Sequence, residues 1–250
     1  MRPTLIAIMT LLFVSALPAQ ARRYALDSVA DLRLHGVTAE PATLDGKRAV
    51  RLSASPDLRR RVEQLTPDQL TQLAQRGRIP GVDLEEVAVI DGVEFSSGVI
   101  EVELAGAPVS ETAAGGGARG FVGVAFRVQP DIGTYDAFYL RPTNGRAEDQ
   151  ERRNHATQYI SHPDWTWARL RQETPGRYES YVDLQPGVWT RIKIEVRGDH
   201  ARLYVNDSPQ PVLVVNDVKS GANARGAVGL WIGPGTVAHF RNLTVTPAGQ

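Results

Sequence analysis

The stretch VWTRIKIEV, residues 188–196, decides the fold class. Trp189, Arg191, Lys193 and Glu195 alternate with Val188, Thr190, Ile192, Ile194 and Val196. Side chains on a strand point to opposite faces in turn, so this pattern sets one row on a core and one in solvent. Ile, Val and Thr are branched at Cβ and suit a pleated, half-buried surface. The turn Arg197-Gly198-Asp199 follows, and residues 201–205 resume the strand character.

Outward from this stretch the same reading recurs. Strands are expected at 84–90, 99–104, 121–128, 135–140, 177–183, 212–215, 228–232 and 238–245. Asp91-Gly92, Gln185-Pro186-Gly187 and Gly233-Pro234-Gly235 are among the turns that separate them, and residues 113–118 read as a loop tip. Two or three shorter strands fit residues 22–53. Only the region after Ser55 changes character. Ser55-Pro56-Asp57 and Thr66-Pro67-Asp68-Gln69 each place a capping hydroxyl before a Pro at a first helical position. Gly77 closes the second helix. The expectation is an all-β, two-sheet antiparallel jelly-roll sandwich with a short helical insertion near residues 56–77, read as an ordinary surface insertion.

The ends and the composition bound the setting. Arg2, an apolar run over 5–14 and the small-x-small triplet Ala19-Gln20-Ala21 read as a signal peptide over residues 1–21. One sandwich domain then spans 22–250, exported to the periplasm or the extracellular space, with no membrane insertion once the signal is removed. Losing Arg2 leaves 27 basic against 28 acidic residues, a net charge of −1. That balance provides no electrostatic footprint for nucleic acid. There is no cysteine, so stability rests on core burial rather than disulfides.

The runs GFVGVAFR at 120–127, YDAFYLRP at 135–142, WTRIKIEV at 189–196 and GLWIGPGT at 229–236 resemble the concanavalin A-like lectin/glucanase superfamily. They are similar in particular to secreted bacterial 3-keto-disaccharide hydrolase-like and laminin-G-like domains. The resemblance covers about residues 82–246. It implies two stacked antiparallel sheets and a saccharide bound on a concave face or at its loop rim. It implies no required cofactor, but admits a structural calcium, with Asp131, Asp136, Asn206 and Asp207 as candidate donors. The Glu-x-Asp-x-x-Glu run of family 16 glucanases is absent.

The polar passage between Tyr135 and Asp183 concentrates residues suited to sugar. It reads as a strand, an ordered excursion of some thirty residues and a returning strand. Tyr139, Tyr159, Trp165 and Trp167 supply aromatic planes for the C–H faces of sugar rings, and Trp165 and Trp167 would share a side if extended. Arg141, Asn144, Arg146, Asn154, Gln158 and Arg169, with Arg127 just before the passage, carry paired groups that match vicinal hydroxyls. His155 and His162 lack the ligand spacing of a zinc site, and only His155 joins the binding set. Glycoside hydrolysis needs two carboxyls. Glu101 and Glu103 share a strand face about 6.6–7 Å apart along the chain, and Glu179 is a third candidate. Carbohydrate is the expected partner. A hydrolase acting on a di- or oligosaccharide and a laminin-G-like protein-interaction module are the alternatives. The oligomeric state is open.

Overall fold

A computed structural model describes residues 20–110 and 117–249. Most of the signal-peptide reading over 1–21 and most of the loop at 113–118 lie outside the described residues. In chain order the strands are β1 Arg22–Tyr24, β2 Leu32–His35, β3 Val37–Leu44, β4 Lys47–Ala54, β5 Val87–Ile90, β6 Gly98–Pro108, β7 Val122–Val128 and β8 Tyr135–Leu140. They continue with β9 Thr157–His162, β10 Glu179–Ser180, β11 Thr190–Arg197, β12 His200–Val205, β13 Leu213–Val215, β14 Ala227–Ile232 and β15 Thr236–Pro247. The helices are α1 Pro56–Glu63, α2 Pro67–Arg76, α3 Gln150–Asn154 and α4 Trp167–Glu173.

Two antiparallel sheets form the sandwich. The first has the order β13-β12-β11-β6-β15-β4-β3, with β1 also pairing β15. The second has the order β10-β9-β8-β7-β14-β5-β2. The strands before Ser55 therefore belong to both sheets, so the sandwich begins well upstream of the region of family resemblance.

The sheets differ in what covers them. Along β11, Thr190, Ile192, Ile194 and Val196 are buried while Arg191 and Arg197 are exposed, so the first sheet has a wet outer face. In β7 and β8 every residue is buried. A sheet covered on both faces loses alternation, and the helices supply the second cover here. The inner rows of the two sheets meet through residues such as Phe126, Phe138, Ile192, Leu230 and Phe240.

Two local expectations are corrected. The passage after Tyr135 is not one excursion, because β9 runs through its middle and pairs β8 residue for residue from Tyr135↔His162 to Leu140↔Thr157. Its Thr, Gln and Ser are polar yet buried, since each finds a bonding partner inside. The returning strand shrinks to the two residues of β10. The helical insertion is also more than surface decoration. Ser55 and Thr66 cap α1 and α2 as expected, and Gly77 ends α2 at φ 71°, but the pair stands over the second sheet and walls a cleft. Among the described residues no helix is long and apolar enough to cross a membrane.

Candidate functional site

The cleft lies on the outer face of the second sheet and has a volume of about 1460 Å³. Its floor follows from register. Tyr139 of β8 pairs Gly123 of β7, and Gly123 pairs Trp231 of β14. A Cβ on Gly123 would sit 2.6 Å from the Tyr139 Cβ and 2.2 Å from the Phe138 carbonyl oxygen. With glycine between them, the Tyr139 and Trp231 rings stack at 4.7 Å between centroids. Phe121 meets Tyr139 edge-on at 6.0 Å.

Beside this floor runs a polar chain. Trp231 Nε1 donates to the Tyr135 hydroxyl at 3.0 Å, and that hydroxyl donates to Glu85 Oε2. Glu85 Oε1 lies 3.0 Å from His162 Nε2, while His162 Nδ1 lies 2.7 Å from the Gly133 carbonyl oxygen. A carbonyl only accepts, so Nδ1 carries a proton. Burial raises the Glu85 pKa, and the neighbouring His162 opposes that rise. Burial, followed by the charge of Glu85, pushes Glu86 up to about 8, and its Oε2 has no hydrogen-bond partner. Both acids line the cleft.

Leu58 and Val62 of α1 and Leu73 and Ala74 of α2 form an apolar wall. Trp167, at the start of α4, forms another, with the Arg171 guanidinium 5.0 Å from its ring centroid. The far end is polar and holds Arg119, Arg141, Asn144, Arg152 and His155. His155 Nε2 approaches Glu179 Oε2 at 2.9 Å, but the angle is not that of a hydrogen bond, and the oxygen is otherwise unpartnered. Burial lowers the His155 pKa, against the pull of Glu179.

Of the residues expected from sequence, Tyr139, Arg141, Asn144, His155 and Trp167 line this cleft. Gln158 is wholly buried beneath the floor, where it accepts from Arg141 and donates to the Tyr178 carbonyl. The others are corrected. Tyr159 points between the sheets and donates to Asp136 at 2.7 Å. Arg127 is buried away from the cleft and bonds the Ser96, Gly198 and Gly221 carbonyls. Arg146 is an exposed side chain held by both oxygens of Asp183. Asn154 is exposed and accepts from Gln150. Trp165 and Trp167 do not share a side, because Thr166 between them is the N-cap of α4. Trp165 turns instead to Arg169 and Lys219, whose charges lie 3.8 and 4.5 Å from its ring centroid.

The carboxylate candidates are displaced as well. Glu101 and Glu103 lie on the outer face of the first sheet, where Glu101 pairs Lys193 in register and Glu103 accepts from Asn242 at 2.8 Å. Glu179 is buried behind His155 and Arg171 rather than in the cleft. The calcium candidates do not converge. Asp131 bonds Thr134, Asp136 bonds Tyr159, Asp207 pairs Arg191, and Asn206 accepts the Arg191 amide. Among the described residues no group of three or more His, Asp or Glu is placed to hold a metal. Sequence reasoning missed Glu85, Glu86, Tyr135, His162 and Trp231 as cleft residues. A strand register would have found Trp231 across Gly123 from Tyr139.

No family model matches the chain, and no curated protein matches it. Among solved structures, a Bacillus subtilis protein of unknown function with a galectin-like fold is 15% identical, with a TM-score of 0.51 over 94% of this chain and 99% of that one. The carbohydrate binding module CBM66 from Bacillus subtilis is 13% identical, with a TM-score of 0.47 over 85% of this chain and 97% of that one. A Crh5 transglycosylase in complex with NAG is 11% identical, with a TM-score of 0.49 over 94% of this chain and 86% of that one. At such identities the likeness speaks for architecture alone. Strand order, register and the galectin-like neighbour agree that this chain has a two-sheet antiparallel jelly-roll fold.

Proposed function

We propose that the protein is an exported carbohydrate-binding protein that holds a saccharide in the cleft on the outer face of its second sheet. One observation carries this reading. The cleft combines aromatic side chains, of which the half-buried Trp167 offers the accessible plane, with a polar end of guanidinium and amide groups. Aromatic planes suit the C–H faces of a sugar ring, and paired donors suit its hydroxyls. Export rests on the signal-like N-terminal run and is tested separately, by N-terminal sequencing of the protein recovered outside the cytoplasm.

The test is calorimetric titration against a panel of oligosaccharides. Binding is expected, and Trp167→Ala should weaken it by about tenfold, the scale of one aromatic contact. Equal affinity in Trp167→Ala and wild type would remove the cleft from consideration.

A second reading, sugar hydrolysis, is favoured by one specific feature. Glu85 lies 3.0 Å from His162 in the cleft, and burial pushes the adjacent Glu86 up to about 8. A buried protonated carboxyl is the form a general acid needs. Turnover of any sugar in the panel that disappears in both Glu85→Gln and Glu86→Gln would establish this reading.

A further inference from the structure

At the arginine-lined end of the cleft, Arg141 and Arg152 have no carboxylate partner among the described residues. Arg141 is only 5% exposed, yet among the described residues its guanidinium meets neutral acceptors. These are the Tyr139 hydroxyl at 3.0 Å, the Gln158 side-chain oxygen at 2.9 Å and the His155 carbonyl at 3.0 Å. Arg152 is half-buried and also meets only neutral acceptors among the described residues. Its Nε donates to Asn144 Oδ1 at 3.0 Å, and its Nη2 donates to the Thr143 carbonyl and hydroxyl, each at 3.2 Å. The Asn144 amide also donates to the His155 carbonyl at 3.1 Å. One amide and one carbonyl therefore tie both guanidinium groups to a single corner.

Other arginines nearby are neutralised. Arg171 places Nε and Nη2 at 3.0 and 2.8 Å from Glu179 Oε1. Arg119 also lines this end and has a partner of its own. Two acids also line this end. Asp149 uses Oδ1 to cap α3 at the Arg152 amide, 2.7 Å away, and Glu151 is exposed. Neither is ion-paired with Arg141 or Arg152. A buried cation met only by neutral dipoles is costly, and a ligand anion is what would offset that cost.

We propose that the saccharide is acidic: a uronate-type sugar whose carboxylate docks on Arg141 and Arg152 while its ring lies against the half-buried Trp167. Each guanidinium keeps N–H groups beyond those already bonded, and paired N–H groups match a carboxylate's two oxygens. The Tyr139 hydroxyl accepts from Arg141, which leaves its own hydrogen for a ligand hydroxyl.

This inference rests on the saccharide reading of the cleft, and the experiment separates the two. Trisaccharides of galacturonate, glucuronate and mannuronate are titrated calorimetrically into the full chain, each beside its carboxyl-reduced, neutral counterpart. At least one acidic sugar should bind about tenfold tighter than its neutral form, with the gap narrowing as salt screens the charge. Arg152→Gln should remove most of that gap. A purely structural Arg152 would weaken both forms equally and leave the ratio intact, which overturns the proposal. Equal binding of acidic and neutral forms by the wild type overturns it too, while leaving the saccharide reading standing. No binding by either form removes both.

Discussion

Arg127 and Arg141 look alike in the sequence, each at the end of an apolar run, and both are buried. Their surroundings give them opposite roles. Arg127 has φ 57° where the β7–β14 register shifts between Ala227 and Val228, so its side chain leaves the strand's alternation. Its guanidinium spans the Ser96, Gly198 and Gly221 carbonyls and the Ser220 hydroxyl, 3.9 Å from the buried Asp136. Arg127→Met would orphan those acceptors and leave Asp136 without its cation. The expected loss is about 3–5 kcal/mol of unfolding free energy, read by urea denaturation; a loss below about 1 kcal/mol would contradict the structural role. Glu86 poses the reverse case, a buried acid without a cation. Its pKa rises from 4.5 to about 8 in the folded chain, so between those values the folded state binds more protons than the unfolded. Stability from this group therefore falls as pH rises through that window and is fully lost above it. Glu86→Gln fixes the neutral form. Its stability should match wild type near pH 4.5 and exceed it by a few kcal/mol above pH 8. A pH-independent difference between the two proteins would refute the assignment.

At the scale of elements, α2 and α4 are joined through one glycine. Gly77 adopts φ 71° to end α2, and a Cβ there would lie 3.0 Å from both Thr166 Cβ and Trp167 Nε1. Thr166 in turn caps α4 and donates to the Arg76 carbonyl at 2.5 Å. Two of the helices that wall the cleft thus share a contact so tight that a side chain at Gly77 would push its neighbours aside. Gly77→Ala should cost about 1–2 kcal/mol from the left-handed conformation alone, and it should also weaken ligand binding by displacing Trp167. Gly46→Ala separates the two effects, since Gly46 has φ 73° in the β3–β4 turn with nothing within 4 Å. The control should lose similar stability while its calorimetric affinity stays at the wild-type value. Equal affinities in the two variants would show that Gly77 does not position Trp167.

For the whole molecule, the division between legible and illegible follows the two sheets. The first sheet was readable because its outer face is wet, and strands such as β11 therefore alternate. The second is covered on both faces, so β9 buries Thr157, Gln158 and Ser161 whichever face they take, and the apolar signal is broken. The site was half readable. Arg141, Asn144, His155 and Trp167 sit close together in sequence, whereas Glu85 and Trp231 reach the same cleft only through pairings between distant strands. Glu101 and Glu103 were misplaced for a related reason: shared strand parity fixes which residues face together but not which side of the sandwich that face belongs to. They point to solvent from the first sheet, and the whole sandwich core separates them from the cleft. Glu103 lies 3.6 Å from Arg241 and accepts from Asn242, contacts a glutamine can largely keep. The double variant Glu101→Gln with Glu103→Gln should therefore fold with stability within about 1 kcal/mol of wild type and bind saccharide with unaltered affinity. A loss of affinity in this variant, measured by the same titration that scores Trp167→Ala, would move the binding face to the opposite side of the molecule.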